Sequence, residues 1–438
     1  MLVLLFFSLF FLELLIIKND RQNALWLLLL SLCFLPSILR CDVGVKLTMT
    51  DFTLLALFVS SFRDILKGDC IYTKTKSLFL MYGLYVTIST AIVIFGTEGS
   101  NYAKKIINFF MVYIATGFLL SYFQISENGN KKIDNILVIA YLIIAVYGIF
   151  NYISGYNPYI LLVNIISGAE DMTDSFQEEI RGFLNGRISS TFIHPLELGQ
   201  VSIILFSYFL FRKTSVHYTV RAIVLLLMML MIVLCGSRSA IIPMVFVCFL
   251  YMLTKSVAKV YKYFIVIILL GSMVASQLPV DRMKELKGFL FFWDEQYAKE
   301  AGIGGSNNSE RLIKYERAFD IIKSDIFLGR GQGFVRYEGK NYPEMAGYES
   351  LVLQMLVDGG ILGLFAFLLF YLYAYKYLLK MALGKYDKIR CHAFCSSYLI
   401  NILFTGLAGV TIIMYVLFYY LILYDVRLRK ISKLKTLK

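Results

Sequence analysis

The sequence predicts an all-α polytopic membrane protein, with about 12–14 transmembrane helices and one large helical loop outside the membrane. Three observations predict it. Hydrophobic residues make up 58% of the 438 and charged residues only 17%, with a mean hydropathy of +0.69; soluble proteins carry about 25% charged residues, so a water-soluble core is excluded. Apolar stretches of about 17–25 residues, the length that crosses the hydrocarbon layer as a helix, recur along most of the chain. Between them, 280–350 is a single long polar stretch, far beyond the usual connection of about 4–6 residues, and such a segment tends to be a lid, a binding loop or a small subdomain.

In order, spans are predicted at 1–17, 23–39, 47–66, 77–95, 104–124, 135–153, 190–211, 221–236, 239–254, 263–279, 351–376, 391–406 and 409–424. Loops at 18–22, 63–76, 126–134, 212–221, 255–262 and 376–390, with the tail after Tyr424, hold 25 of the 43 Lys and Arg. The short loops on the other side hold five: Arg40, Lys46, Lys104, Lys105 and Arg238. The basic loops therefore face the cytoplasm, and alternation puts 154–189 and 280–350 outside. The chain then divides into an N-terminal transmembrane scaffold (1–153), a first outer loop (154–189), a transmembrane core (190–279), a large outer loop proposed to be catalytic (280–350), C-terminal helices (351–424) and a basic cytoplasmic tail (425–438).

The tail VRLRKISKLKTLK needs no nucleic acid partner, because an anionic inner leaflet attracts it. MLVLLFFSLFFLELL at the start lacks the basic region and small-residue site of a cleaved signal and is expected to stay as a span. Seven cysteines, none in the two long outer loops, argue against a disulfide framework. Cys391, His392 and Cys395 have no fourth ligand nearby and read as packing. No metal and no cofactor is expected.

Candidate chemistry begins after residue 153. In RGFLNGRISSTFIHPLELGQ, Arg187 precedes Ser189, Ser190 and Thr191 at the mouth of a span; it reads either as an interface arginine snorkelling to lipid headgroups or as a ligand contact. His194, beside Pro195, reads as a packed or capping group. In LCGSRSAIIP, Ser237, Arg238 and Ser239 leave a glycine turn into a span. The N–H groups of a helix N-terminus together with a guanidinium make a seat for phosphate, with snorkelling as the alternative. SERLIKYERAFDII predicts a helix of about four turns capped by Ser309. On it Arg311, Lys314 and Arg317 lie one turn apart, and for Lys314 and Arg317 a solvated face balanced by Glu310, Glu316 and Asp320 is the plainer reading. LGRGQGF, with Arg330 between Gly329 and Gly331, permits a tight turn but is no dinucleotide fingerprint, since no strand precedes it. In GYESLVLQMLVDGGILGLF, Glu349 stands at a helix entrance, where a carboxylate either satisfies the helix N-terminus or serves as a general base. Phe291, Phe292, Trp293, Tyr337 and Tyr342 read as sugar platforms or as a small core.

The succession RISSTFIHP, GSRSA opening a span, SERLIKYERAFDII, LGRGQGF and ESLVLQMLVDGGILGL resembles the shared domain of bacterial O-antigen polymerases and O-antigen ligases over residues 187–364. The resemblance implies a membrane glycosyltransferase of the GT-C fold. It would use an undecaprenyl-pyrophosphate-linked oligosaccharide as donor and acceptor at the outer face of the inner membrane, with membrane lipids around it and a chain-length regulator protein as a further partner. It assigns Arg187, Arg238 and Arg311 to the lipid pyrophosphate; Ser237, Ser239, Arg317 and Arg330 complete the candidate binding set. Ligases of the family typically carry a histidine where this chain has Glu349, and His194, His217 and His392 lie elsewhere, which favours a polymerase with Glu349 as base beside Arg238 and Arg311 in the catalytic set. A ligase and a non-enzymatic flippase for lipid-linked sugars are the alternatives. A flippase would put its charges at mid-membrane in broken helices, whereas these cluster at the outer boundary.

Overall fold

The computed structural model describes residues 2–36, 39–42, 46–95, 110–123, 125–167, 186–212, 216–255, 308–323, 325–331, 334, 350–406 and 409–436. Nearly all of them are helical. The elements are α1 (Leu2–Asn19), α2 (Asn23–Phe34), α3 (Met49–Lys67), α4 (Thr73–Phe95), a π-helical turn at Phe110–Ala115 that runs into α5 (Thr116–Leu120), α6 (Glu127–Ser154), α7 (Pro158–Ser167), α8 (Pro195–Phe211), α9 (Tyr218–Leu234), α10 (Arg238–Met252), α11 (Asn308–Ile322), α12 (Leu351–Met381), α13 (Gly384–Phe404) and α14 (Gly409–Thr436). The described residues agree with the all-α expectation, and the helices are accompanied by one short antiparallel hairpin, β1 (Arg40–Asp42) with β2 (Lys46–Thr48). It follows a helix that stops at Phe34, short of the predicted residue 39, because Pro36 cannot continue it. α7 was not anticipated inside the first outer loop.

Local chemistry sets the other ends. Thr48 and Asp51 form a reciprocal capping box on α3, which Gly68 closes at φ 72°. Ser126 caps α6, and Gly155 ends it at φ 65°. Among the described residues three helices are long and apolar enough to cross a membrane by length and composition, Asn128–Ser154, Leu351–Met381 and Gly409–Lys430, and five further apolar helices have 10–17 residues. The chain is thus a helical membrane protein, with Leu4, Met81, Ile153 and Ile165 among its outward-facing apolar side chains. The predicted span 263–279 and most of 280–350 lie outside the described residues.

α8 is the axis of the core. It packs against α9, α10, α13 and α14, and Leu198, Val201, Tyr208, Phe209 and Phe211 along its length are fully buried. A helix apolar on every side belongs in such a position.

α12 is broken at Gly360 (φ 63°, ψ −165°) into an arm, 351–359, and a shaft, 361–381. A Cβ at Gly363 would lie 3.7 Å from the Met355 carbonyl oxygen, whereas eight residues of unbroken helix span about 12 Å. The arm therefore folds back across the end of the bundle. Its break is closed by the loop 325–331, in which the Ile326 and Phe327 carbonyls accept from the Ile361 and Leu362 amides (2.9 and 3.1 Å) and the Arg330 amide donates to Val357 O (2.9 Å). Those shaft amides are the ones a helix start leaves without partners. The two glycine motifs, LGRG and DGG, are thus one interlocked unit. A Cβ on Gly360 would run into the Phe327 carbonyl, whereas one on Gly359 would meet nothing within 4 Å. Gly360→Ala is expected to cost at least about 2 kcal/mol from left-handed backbone strain and the clash. Gly359→Ala is expected to stay within about 0.5 kcal/mol. Thermal unfolding midpoints of the two detergent-solubilised variants test the difference.

Candidate functional site

The segment 186–194 leads into α8 as a buried strap rather than a surface loop. Asn157 Nδ2 donates to Ser189 Oγ (3.0 Å) and Ser190 O (2.9 Å), Ser190 Oγ to Ile144 O (2.7 Å), and Thr191 Oγ1 to Cys33 O (2.7 Å). These bonds carry Arg187 into the protein, where it is 4% exposed. Its Nε donates to Cys235 O at 3.0 Å, and the Ile188 amide reaches Leu234 O. The structure thereby excludes the snorkelling arginine as a reading of Arg187. It also joins Arg187 to the GSRSA turn 48 residues along the chain.

That turn breaks at Gly236 (φ 62°) and opens α10 at Arg238. Ser237 is fully buried, and its Oγ lies 3.0 Å from Ser239 Oγ. Ser237 occupies the N-cap position, yet its side chain makes no capping bond, so the hydroxyl pair faces each other instead. α8 comes close because Gly199 lacks a side chain. A Cβ there would stand 2.9 Å from the Ser237 Cβ and 3.0 Å from the Cys235 Sγ. One residue on, Gln200 Nε2 donates to Gly406 O (2.9 Å), and the Leu351 amide at the tip of the α12 arm donates to Thr405 O (3.2 Å). Arg187, the turn 235–239, the start of α8, the end of α13 and the start of α12 therefore meet at one end of the bundle.

This end is unusually polar for a buried place. Ser190, Gln200, Ser237, Ser350, Asn401 and Thr405 are all at most 5% exposed. Asn401 Oδ1 and Thr405 Oγ1 are buried with no hydrogen-bond partner among the described residues. Burying such groups costs free energy unless something satisfies them, so this end is the candidate site for a polar ligand.

The other candidates fall as follows. Ser237, Arg238 and Ser239 are in the turn itself. Arg311 lies on α11, which packs on the arm through Ala318, Ile322, Leu353, Leu356 and Val357; its side chain is outside the described residues. Glu349 also lies outside them, directly before Ser350, whose Oγ accepts from the Leu353 amide as the N-cap of α12. Arg317 is on the exposed face of α11. There it acts with the Lys323 ammonium, which donates to Asp320 at 2.6 Å, to hold the Asp320 carboxyl below its usual range; the Lys323 bond is the larger cause. Arg330 is engaged close to its own loop, with Nε donating to Ile321 O at the end of α11 (3.1 Å) and Nη1 standing 3.7 Å from Asp325. The structure thus brings Arg187, Ser237, Arg238 and Ser239 together, and it leaves Arg317 and Arg330 with partners of their own. The sequence reading missed Gln200, Asn401 and Thr405. Only their polarity within apolar spans hinted at them.

No curated protein matches the chain. Residues 223–368, which run from α9 through the GSRSA turn and α11 into the shaft of α12, match the family model Wzy_C, described as O-antigen ligase, so this third of the chain is similar to the O-antigen polymerase and ligase family.

Proposed function

We propose that the chain polymerises undecaprenyl-pyrophosphate-linked oligosaccharide repeat units on the outer face of the inner membrane, as a metal-independent glycosyltransferase of the GT-C type. The observation that carries this reading is the bond from Arg187 Nε to Cys235 O, which sets one arginine against the turn that presents another at the N-terminus of α10. A guanidinium pair with helix N–H groups suits a diphosphate.

In the proposed reaction a hydroxyl of the acceptor sugar attacks the anomeric carbon of the donor chain. The carbon–oxygen bond to the diphosphate breaks, and undecaprenyl pyrophosphate leaves with the bonding electrons. Arg187 and Arg238, joined by Arg311 from α11, stabilise the charge that develops on it. Glu349 takes the hydroxyl proton as the new bond forms. Ser237 and Ser239 offer hydroxyls to phosphate oxygens.

A ligase is the second reading, favoured by the description of the matching family model; the glutamate at 349, where the resemblance leads one to expect a ligase histidine, favours the polymerase. One experiment separates them. Purified protein is incubated with lipid-linked repeat units alone and then with lipid A-core added, and the products are resolved on a gel. A ladder of repeat lengths without lipid A-core supports polymerisation. Transfer to lipid A-core with no ladder assigns the ligase, and neither product from folded protein refutes both. Glu349→Gln is expected to abolish the ladder while the lipid-linked donor still binds, measured by retention of labelled donor on the immobilised protein.

A further inference from the structure

α4 and the shaft of α12 run antiparallel. Phe79 meets Phe370 at 5.0 Å between ring centroids, Tyr82 stacks on Phe370 at 4.7 Å, and Tyr82 meets Phe367 at 6.2 Å. Along this pair opens a groove of about 780 Å³, walled by apolar side chains including Leu78, Met81, Leu369 and Tyr373. Met81 is 72% exposed and Leu369 50%, so the groove faces lipid. Two cations, Lys74 and Lys376, line it as well. The ring pairing fixes the register. Carrying 79 against 370 and 82 against 367 back down the helices sets Lys74 opposite position 375, one residue from Lys376 on the opposite wall. Both are exposed, and neither has an acidic partner among the described residues.

Apolar walls with two free ammonium groups at one end complement an amphiphile whose head is anionic. Length narrows the choice. The lining runs on α4 from Thr73 to Tyr85, about 18 Å of helix, close to the roughly 15 Å of hydrocarbon in one leaflet. The lysines lie at the end of α12 away from its arm, hence away from the GSRSA turn. On the orientation read from the basic loops this is the cytoplasmic leaflet, where anionic phospholipids concentrate. A polyprenyl diphosphate bound at the turn would present its head at the other end.

We propose that this groove is a specific site for an anionic glycerophospholipid of the inner leaflet, with the phosphate held between Lys74 and Lys376 and one acyl chain laid along Met81, Tyr85, Leu369 and Tyr373. The site does not depend on the transferase reading. Native mass spectrometry of the full delipidated chain, titrated with dioleoyl phosphatidylglycerol or dioleoyl phosphatidylcholine, tests it. The first phosphatidylglycerol adduct is expected to form at lower lipid concentration than its phosphatidylcholine counterpart. In Lys74→Gln/Lys376→Gln it is expected to weaken by about thirtyfold, the effect of two lysines near an anionic headgroup. Lys74→Arg/Lys376→Arg retains it, Lys380→Gln leaves it unchanged, and Leu369→Trp, which keeps both charges but fills the groove, removes it. Equal binding of the two lipids overturns the proposal. So does an adduct that survives the double glutamine variant, one lost equally from the arginine variant, or one displaced by undecaprenyl phosphate but not by further phosphatidylglycerol.

Discussion

Arg238→Ala is expected to slow polymer formation by about 100- to 1,000-fold, the loss that follows removal of one preorganised group facing a developing negative charge. The magnitude follows from where the residue sits. Arg238 is the first residue of α10 and only partly buried, so truncation removes a charge from the mouth of the site without opening a hole in the core. Arg238→Lys keeps the charge but loses the planar fork, and is expected to recover part of the rate only. Arg187→Lys tests the support behind it. The lysine keeps a cation on the strap but cannot reproduce the Nε bond to Cys235 O, so the turn loses its brace and the rate falls although the charge count is unchanged. Lys323→Ala, in the turn just after α11 and 73% exposed, is the control and is expected to stay within about twofold. Single-turnover assays with lipid-linked repeat units in detergent read all four. An Arg238→Ala enzyme that keeps its rate removes the diphosphate from this turn.

Helices and the polar position of GSRSA were legible in the sequence because hydropathy and a glycine turn are local signals. What the strap does was not. Arg187 read equally well as a surface group, since nothing in RISST announces that Asn157, Ile144 and Cys33 will draw it inward. The same limit explains LGRGQGF. Its glycines were legible as a turn, but their need becomes clear only when Gly329 and Gly360 press backbone to backbone, a contact between positions 31 residues apart. Arg330 then has a local task that spacing alone cannot disclose. The charge count also treated Arg212, Arg390 and Arg429 as loop cations facing the cytoplasm, although Arg212 and Arg390 are buried inside the bundle. Removing the three from the 25 leaves 22 against five, so the count favours the same orientation while the role of these residues changes.

That role supports the last expected result, a loss of about 3–5 kcal/mol in Asp134→Ala. Arg212 Nε donates to Asp134 Oδ1 at 2.6 Å, and both side chains are 3% exposed. Among the described residues the Arg212 guanidinium otherwise has only Asp425, at 3.9 Å, and the ring of Tyr208, 5.0 Å from its centre. Around Asp425 gather Arg390, fully buried, and Arg429, which also donates to Asp387 at 2.6 Å. Three arginines and three aspartates thus tie α6, α8, α13 and α14 together at the end opposite the GSRSA turn, with no net charge. Removing Asp134 leaves a buried cation with its nearest carboxylate shared three ways, and in a low-dielectric interior that uncompensated charge, rather than the lost bond, dominates the cost. The double replacement Asp134→Leu/Arg212→Met takes away both charges and keeps the volume, so it is expected to recover most of the loss. Unfolding midpoints of the single and double variants in detergent decide the matter. If the double variant is as unstable as Asp134→Ala alone, the cluster holds the helices by bonding geometry and not by charge balance.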